Sequence, residues 1–227
     1  MADSNKIEVK SCSKEDLLNA GIDVAQLLKV ITAIDEDCNP DEAGSSLLEE
    51  PYEAVVARLT PVFDATPDMW RAFMHEDEII GYWNCVALND AHQKKIEDGV
   101  LRESYINVNN LRDNIHGEEV DVLFDSVCLH KDYQRKGLSG VVMKSIYDAM
   151  SALPPKGIKV NKVWASIWSK AGIKFFSKLG FIAHKENNPD NADIPDNEKH
   201  YIYYVDFDDM ITNLENIIKE YCLGESK

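Results

Sequence analysis

The run Asp125-Ser-Val-Cys-Leu-His-Lys-Asp-Tyr-Gln-Arg-Lys-Gly-Leu-Ser-Gly140 confines the chain to few architectures, because an apolar strand enters a basic, glycine-containing turn and leaves it as an amphipathic helix. Beyond Gly137, the apolar residues Leu138, Val141, Val142, Ile146, Ala149 and Leu153 recur at helical spacing, so the helix begins at or beside the glycine. Its first N–H groups lack partners within the helix and point back into the turn. A helix N-terminus carries partial positive charge and favours acidic neighbours. Here Arg135 and Lys136 crowd it, in a chain whose formal net charge is -16. An anion seated on the turn reconciles the two.

Gln134-Arg-Lys-Gly-Leu-Ser139 resembles the Q/R-x-x-G-x-G/A signature of the GNAT superfamily of acyl-CoA-dependent N-acetyltransferases, with Ser139 where glycine or alanine is usual and Gly140 directly after it. Downstream, Lys162-Val-Trp-Ala-Ser-Ile-Trp168 reads as a strand and Ser169 to Leu179 as a helix closed by Gly180-Phe181, similar to that family's second motif. Gly180 also suits a helix C-terminus in the left-handed region. Tyr201-Ile-Tyr-Tyr-Val-Asp-Phe207 fits the family's closing hairpin strand. The likeness in motifs covers roughly residues 121 to 207 and is topological before that. It implies an α/β GNAT fold, with a mixed twisted central sheet flanked by helices on both faces. It also implies acetyl-CoA as cosubstrate, held by Gln134, Arg135, Lys136, Gly137, Leu138, Ser139 and Gly140. Backbone donors for the pantetheine and thioester would come from Val127, Cys128 and Leu129 on the strand before the turn.

Composition sets the outer limits. With 227 residues, 44% of them hydrophobic, and no Pro/Gly/Ser-rich linker, the chain reads as one domain spanning 1–227 with a C-terminal helical extension. The N-terminus lacks an apolar leader and no run approaches the roughly 18 apolar residues of a membrane span, so a soluble, cytoplasmic protein without membrane contact is expected. Cys12, Cys38, Cys85, Cys128 and Cys222 are scattered, with no C-x-x-C pair, which favours reduced thiols and no metal site. The acidic balance argues against nucleic acid, which demands clustered cations. It suits a cationic small amine, although solubility alone is reason enough for such a charge.

Before the motif, Ile7-Glu-Val9 reads as a strand and Ser13 with Asp16 as a helix start. An apolar stripe follows through Leu17, Val24, Leu27, Leu28, Ile31 and Ile34, split or bent at Gly21. Tyr52 to Leu59 reads as a helix, and Trp70–Met74 with Ile79–Leu88 as a hairpin around His75-Glu-Asp-Glu78. Polar residues 90 to 119 are either an insertion with its own helix or a lid. Met210, Leu214, Ile217, Ile218 and Tyr221 form a last helical stripe beyond the core, packed on the domain or on a partner, which leaves monomer and homodimer open.

Transfer of an acetyl group to an amine needs a polarised thioester, a neutral nitrogen and a proton acceptor. By resemblance, the base of several amine-acetylating members stands nine residues ahead of the signature, which here is Asp125. A carboxyl in an apolar cleft has its pKa raised, as a base requires; a strand-start residue bonded to a neighbouring loop is the plainer role. Glu36 and Glu42 are the other carboxylates. Asp35-Glu-Asp-Cys-Asn-Pro40 is loosely similar in place to a segment of insect arylalkylamine acetyltransferases whose Glu is the base. Many members carry a tyrosine acid four residues before the Gly-Phe ending, and Phe176 stands there instead, leaving water, Ser169 or Ser177 as substitutes. Cys128 with His130 two residues on is readable as a nucleophile pair, or Cys128 as a small core residue. Trp164 and Trp168 read as core or as the border of an aromatic acceptor pocket. Acetyl transfer to a primary amine of a small molecule in a ternary complex is the expectation. Acetylation of a protein N-terminus or lysine, and a non-catalytic acyl-CoA-binding domain, are the alternatives.

Overall fold

The computed structural model describes residues 7–38, 51–102, 106–167, 169–188, 190 and 199–224. Strand β1 is Lys10–Cys12, three residues later than the alternation at Ile7-Glu-Val9 suggests. It pairs antiparallel with the next strand through Lys10↔Met74 and Cys12↔Ala72, and Cys12 is the residue that it buries. Ser13 then starts α1 (Lys14–Asn19) with the expected capping box, its side chain accepting from Asp16 N while the Asp16 carboxylate takes the Ser13 N–H. Gly21, at φ 78°, divides the apolar stripe, and the second part becomes α2 (Val24–Cys38).

Helix α3 runs Tyr52–Ala65, past the expected end at Leu59 and through Pro61. Pro61 has no N–H to give the preceding turn; the neighbouring Thr60 hydroxyl donates to the Val56 carbonyl at 2.7 Å. Strands β2 (Trp70–His75) and β3 (Glu78–Val86) form the expected hairpin, with Glu76 in the left-handed region at its tip. The polar insertion does carry a helix, α4 (Asp90–Glu97). It leads to β4 (Glu119–Leu129), α5 (Ser139–Met150), β5 (Lys159–Ile167), α6 (Lys170–Lys178), β6 (Ile182–Asn187), β7 (His200–Asp206) and α7 (Phe207–Gly224).

The sheet has seven strands in the order β1-β2-β3-β4-β5-β7-β6, with β4 and β5 parallel and every other pair antiparallel. One face buries Trp83, Cys85, Val122 and Phe124 against α5, α6 and α7. The other buries Tyr82, Trp70 and Ala72 against α1, α2 and α3, and Val86, Leu123 and Trp164 against α3 and α4. Helix α7 is no appendage: Met210 and Leu214 are fully buried in the main core, and Asn213 Nδ2 donates to the Leu179 carbonyl at the end of α6. None of the described helices is long and apolar enough to cross a membrane.

Candidate functional site

Two departures from regular pairing make the site. Strands β4 and β5 pair only as far as Leu123↔Trp164, although β4 continues to Leu129 and β5 to Ile167. The backbone of residues 124 to 129 therefore faces an opening where a neighbour strand would otherwise lie, and Val127, Cys128 and Leu129 all stand on it. The second departure is a bulge against β3: Asn84 pairs with Ser126 and Cys85 with Phe124, so Asp125 is the extra residue.

A bulge puts two consecutive side chains on one face. Phe124 and Val127 join the α5 side, whereas Asp125 and Ser126 both turn to the α2 side. There Asn84 Nδ2 donates to Asp125 Oδ2 at 2.9 Å, and two residues back along β3 the Tyr82 hydroxyl meets Ser126 Oγ at 2.8 Å. Burial raises the Asp125 carboxyl above the ordinary carboxylate pKa, against the opposing pull of the Asn84 hydrogen bond and the Arg58 charge. Asn84 is only 2% exposed, and its Oδ1 has no hydrogen-bond partner among the described residues. A buried acceptor in that state has room for a further donor.

After β4 the chain makes a 3-10 turn over Lys131–Tyr133 and enters the basic loop. Gln134 folds its side chain back, Nε2 donating to the Leu129 carbonyl at 2.9 Å, which ties the loop to the strand end. Arg135 and Gly137 take left-handed φ values of 60° and 79°. The helix begins at Ser139, two residues past the glycine, with Leu138 as an N-cap that offers no side-chain hydrogen bond and no acidic residue in the first turn. A Cβ at Gly137 would meet nothing within 4 Å, so the space above the turn is open. Lys136 Nζ lies over the Tyr133 ring, 5.4 Å from its centroid. A cavity of about 820 Å³ opens beside the loop between α2 and the β2–β3 hairpin, with Asp77, Glu78 and Asp132 in its wall.

The C-terminal helix reaches this place as well. Tyr221 packs its ring on Gly140, where a Cβ would come within 3.0 Å of it, and its hydroxyl lies 2.6 Å from Ser139 Oγ. Glycine at 140 thus lets the Tyr221 ring lie close on α5, which the sequence pattern does not disclose.

Other candidates fall elsewhere. His130 leaves the strand to cap the 3-10 turn, its Nδ1 accepting from Asp132 N, while the Cys128 thiol donates to the Leu129 carbonyl and packs toward the α2 cluster. Phe176 is buried among Phe124, Phe175 and Phe181. Ser169 Oγ caps α6, accepting from Gly172 N at 2.9 Å, and Ser177 is exposed on the same helix. Trp164 is core, with Nε1 donating to Asp121 Oδ2 at 2.8 Å. Glu42, Trp168 and the side chain of Glu36 lie outside the described residues. The residue before Glu36, Asp35, is 9% exposed and accepts from the Tyr82 hydroxyl at 2.7 Å. Sequence reading passed over Asn84, Tyr82, Ser126 and Asp35; the only signal for them is polar residues set among apolar ones.

No family model and no curated protein matches the chain. Solved structures do match. The GNAT-like decarboxylase GphF, in complex with isobutyryl-CoA, has a TM-score of 0.54 at 11% identity over 88% of this chain and 99% of that one. The protein yncA from Salmonella typhimurium, with its cofactor acetyl-CoA, has a TM-score of 0.50 at 14% identity over 89% and 95%. Likeness at these identities speaks for architecture. Together with the split mixed sheet and the turn that leads into α5, it establishes that the chain has the GNAT fold.

Proposed function

We propose that this protein transfers an acetyl group from acetyl-CoA to a primary amine of a small molecule, by direct attack in a ternary complex. The observation that carries the reading is an open anion seat on the α5 side of the split sheet and a carboxyl of raised pKa on the opposite side. A thioester threaded between β4 and β5 would meet an amine arriving from the α2 side. The residues fit the donor: the space at Gly137 admits a pyrophosphate, the uncapped first turn of α5 offers N–H groups, and Arg135 and Lys136 supply charge. Acetyl-CoA brings an activated acyl carbon and a thiolate leaving group. Val127, Cys128 and Leu129 offer backbone donors along the open strand edge. Asp125 takes a proton from the incoming ammonium, and Asn84 Oδ1, without a hydrogen-bond partner among the described residues, accepts an N–H from the same nitrogen.

The fold alone does not decide this, since GphF is described as a decarboxylase. Purified protein with acetyl-CoA, tested on aryl-alkylamines, polyamines and peptides for thiol release and amide formation, decides it. Turnover of small amines supports the reading; turnover of peptides with small amines inert, or binding of CoA without turnover of anything, overturns it.

Tyr221 belongs to the seat. In the Ser139–Tyr221 pair one hydroxyl proton is spent between the two oxygens and the other is free to donate outward. Tyr221→Phe removes the shared hydrogen bond but leaves the Ser139 proton free for a phosphate, so it should lower stability by about 0.5–1.5 kcal/mol and weaken CoA less than about threefold. Tighter binding by the variant would mean that the helix end obstructs the seat. Cys128→Ala, in contrast, should change kcat less than threefold and stability by about 1 kcal/mol, and an acetyl-cysteine trapped at this position would contradict direct transfer.

A further inference from the structure

An ammonium that becomes an amide loses two protons, one before its nitrogen attacks and one after. One of them leaves for solvent and the other ends on the departing sulfur. Asp125 can hold the first. Phe176 is hydrocarbon in the core and offers the second proton no carrier.

Beside Asp125, on the same face of the bulge, stands the head of a hydrogen-bonded chain that runs inward. Ser126 Oγ is 2.8 Å from the Tyr82 hydroxyl, which is 2.7 Å from Asp35 Oδ2 on α2. Tyr82 and Asp35 are 5% and 9% exposed, whereas Ser126 is only partly buried. Tyr82 owns a single proton. With Asp35 ionised that proton goes to the carboxylate, the stronger acceptor, and Ser126 donates to Tyr82 in turn. With Asp35 protonated every bond in the chain reverses. Of the other ionisable groups, Cys128 on β4 acts on Tyr82, and Arg58 on α3 acts on the neighbouring Asp125.

We infer that Ser126 is a catalytic residue that takes the second proton from the acetylated nitrogen and later gives it to the thiolate, with Tyr82 and Asp35 as the relay behind it. This rests on the acetyl-transfer reading. In the forward direction the N–H bond breaks as an O–H forms at Ser126. The former Ser126 proton passes to Tyr82, and the Tyr82 proton to Asp35. On return, Asp35 gives its proton to Tyr82, Tyr82 to Ser126, and Ser126 to sulfur, where an S–H forms. Charge and protons balance, with the carboxylate ionised at the start and the end.

The test is a comparison of Ser126→Ala, Tyr82→Phe and the double variant against wild type, with the small amine that wild type turns over fastest. Each single variant should lower kcat at least tenfold, and the double no further than the worse single, because the groups act as a unit. KM for acetyl-CoA should not change. The loss should also persist when pH is raised past the pKa of the amine, since the second proton leaves only after attack. A purely structural bond pinning α2 to the sheet would lower Tm in Tyr82→Phe and leave kcat of the folded variant within about threefold of wild type, with Ser126→Ala unaffected. Additive losses, losses that vanish at high pH, or a Ser126→Ala enzyme with wild-type kcat would overturn the relay. If wild type forms no amide at all, the acetyl-transfer reading fails and the relay with it; if wild type is active and the variants match it, the relay alone fails.

Discussion

Gly137→Glu should lower the affinity for coenzyme A at least tenfold, equivalent to about 1.4 kcal/mol, with the fold intact. Two effects add. Gly137 sits at φ 79°, where a residue with a Cβ is strained by about 1–2 kcal/mol, so the free loop relaxes away from that conformation and must be drawn back into it when CoA binds. The new side chain then points into space that is empty within 4 Å, where a phosphate is to lie, and it brings like charge. Gly137→Ala separates the two, since it carries the strain without the carboxylate and should bind distinctly better than Gly137→Glu. Titration calorimetry with CoA, backed by circular dichroism, reads both. Unchanged affinity in a folded Gly137→Glu protein would remove the seat from Gln134–Gly140 and with it the basis for acyl-CoA chemistry here.

The turn from β4 into α5 was legible in the chain because everything that builds it is local. A strand, a glycine in the left-handed region and a helix whose apolar residues start at Leu138 are all set by neighbours in sequence, and the structure moves the helix start by only two residues. The capping box at Ser13 and the break at Gly21 were legible for the same reason. What failed was non-local. Ile7-Glu-Val9 alternates like a strand, yet Lys10–Cys12 forms the edge because those residues meet Met74, Phe73 and Ala72 of β2 in register. No pattern in β4 reveals that Asp125 is the extra residue of a bulge, because a bulge is a relation between two strands. Asp125 could be chosen from its motif offset, but its partner Asn84 and the neighbouring Ser126–Tyr82–Asp35 chain follow only from the pairing of β3 with β4 and the docking of α2. The C-terminal stripe was readable as a helix; that it fills the groove from the end of α6 to the start of α5, and sets Tyr221 on Gly140, depends on packing alone.

The largest kinetic effect is expected at Asp125. Asn preserves the shape and can still accept from Asn84 Nδ2, but it cannot take up the amine proton, so Asp125→Asn should lower kcat by roughly 10²-fold or more with CoA affinity near normal. Raising the pH should restore much of the rate, because a growing fraction of the amine arrives neutral. Glu36→Gln, made in parallel, should do less; a large pH-rescuable loss there, with Asp125→Asn near wild type, would reverse the assignment. Stability gives an independent check. Burial raises the folded-state pKa of Asp125 above its unfolded value, so its stabilising contribution is present in full at pH below the unfolded pKa and is lost as pH rises through the raised one. At neutral pH the ionised carboxyl is thus a liability that Asn removes. Asp125→Asn should melt no lower than wild type at neutral pH, and its advantage should disappear as the pH falls far enough to protonate the carboxyl in both states. A variant that is slower by two orders of magnitude yet equally or more stable is what a carboxyl held for chemistry produces. If Asp125→Asn instead unfolds earlier at neutral pH and keeps its rate, the residue is structural and the proton acceptor lies elsewhere.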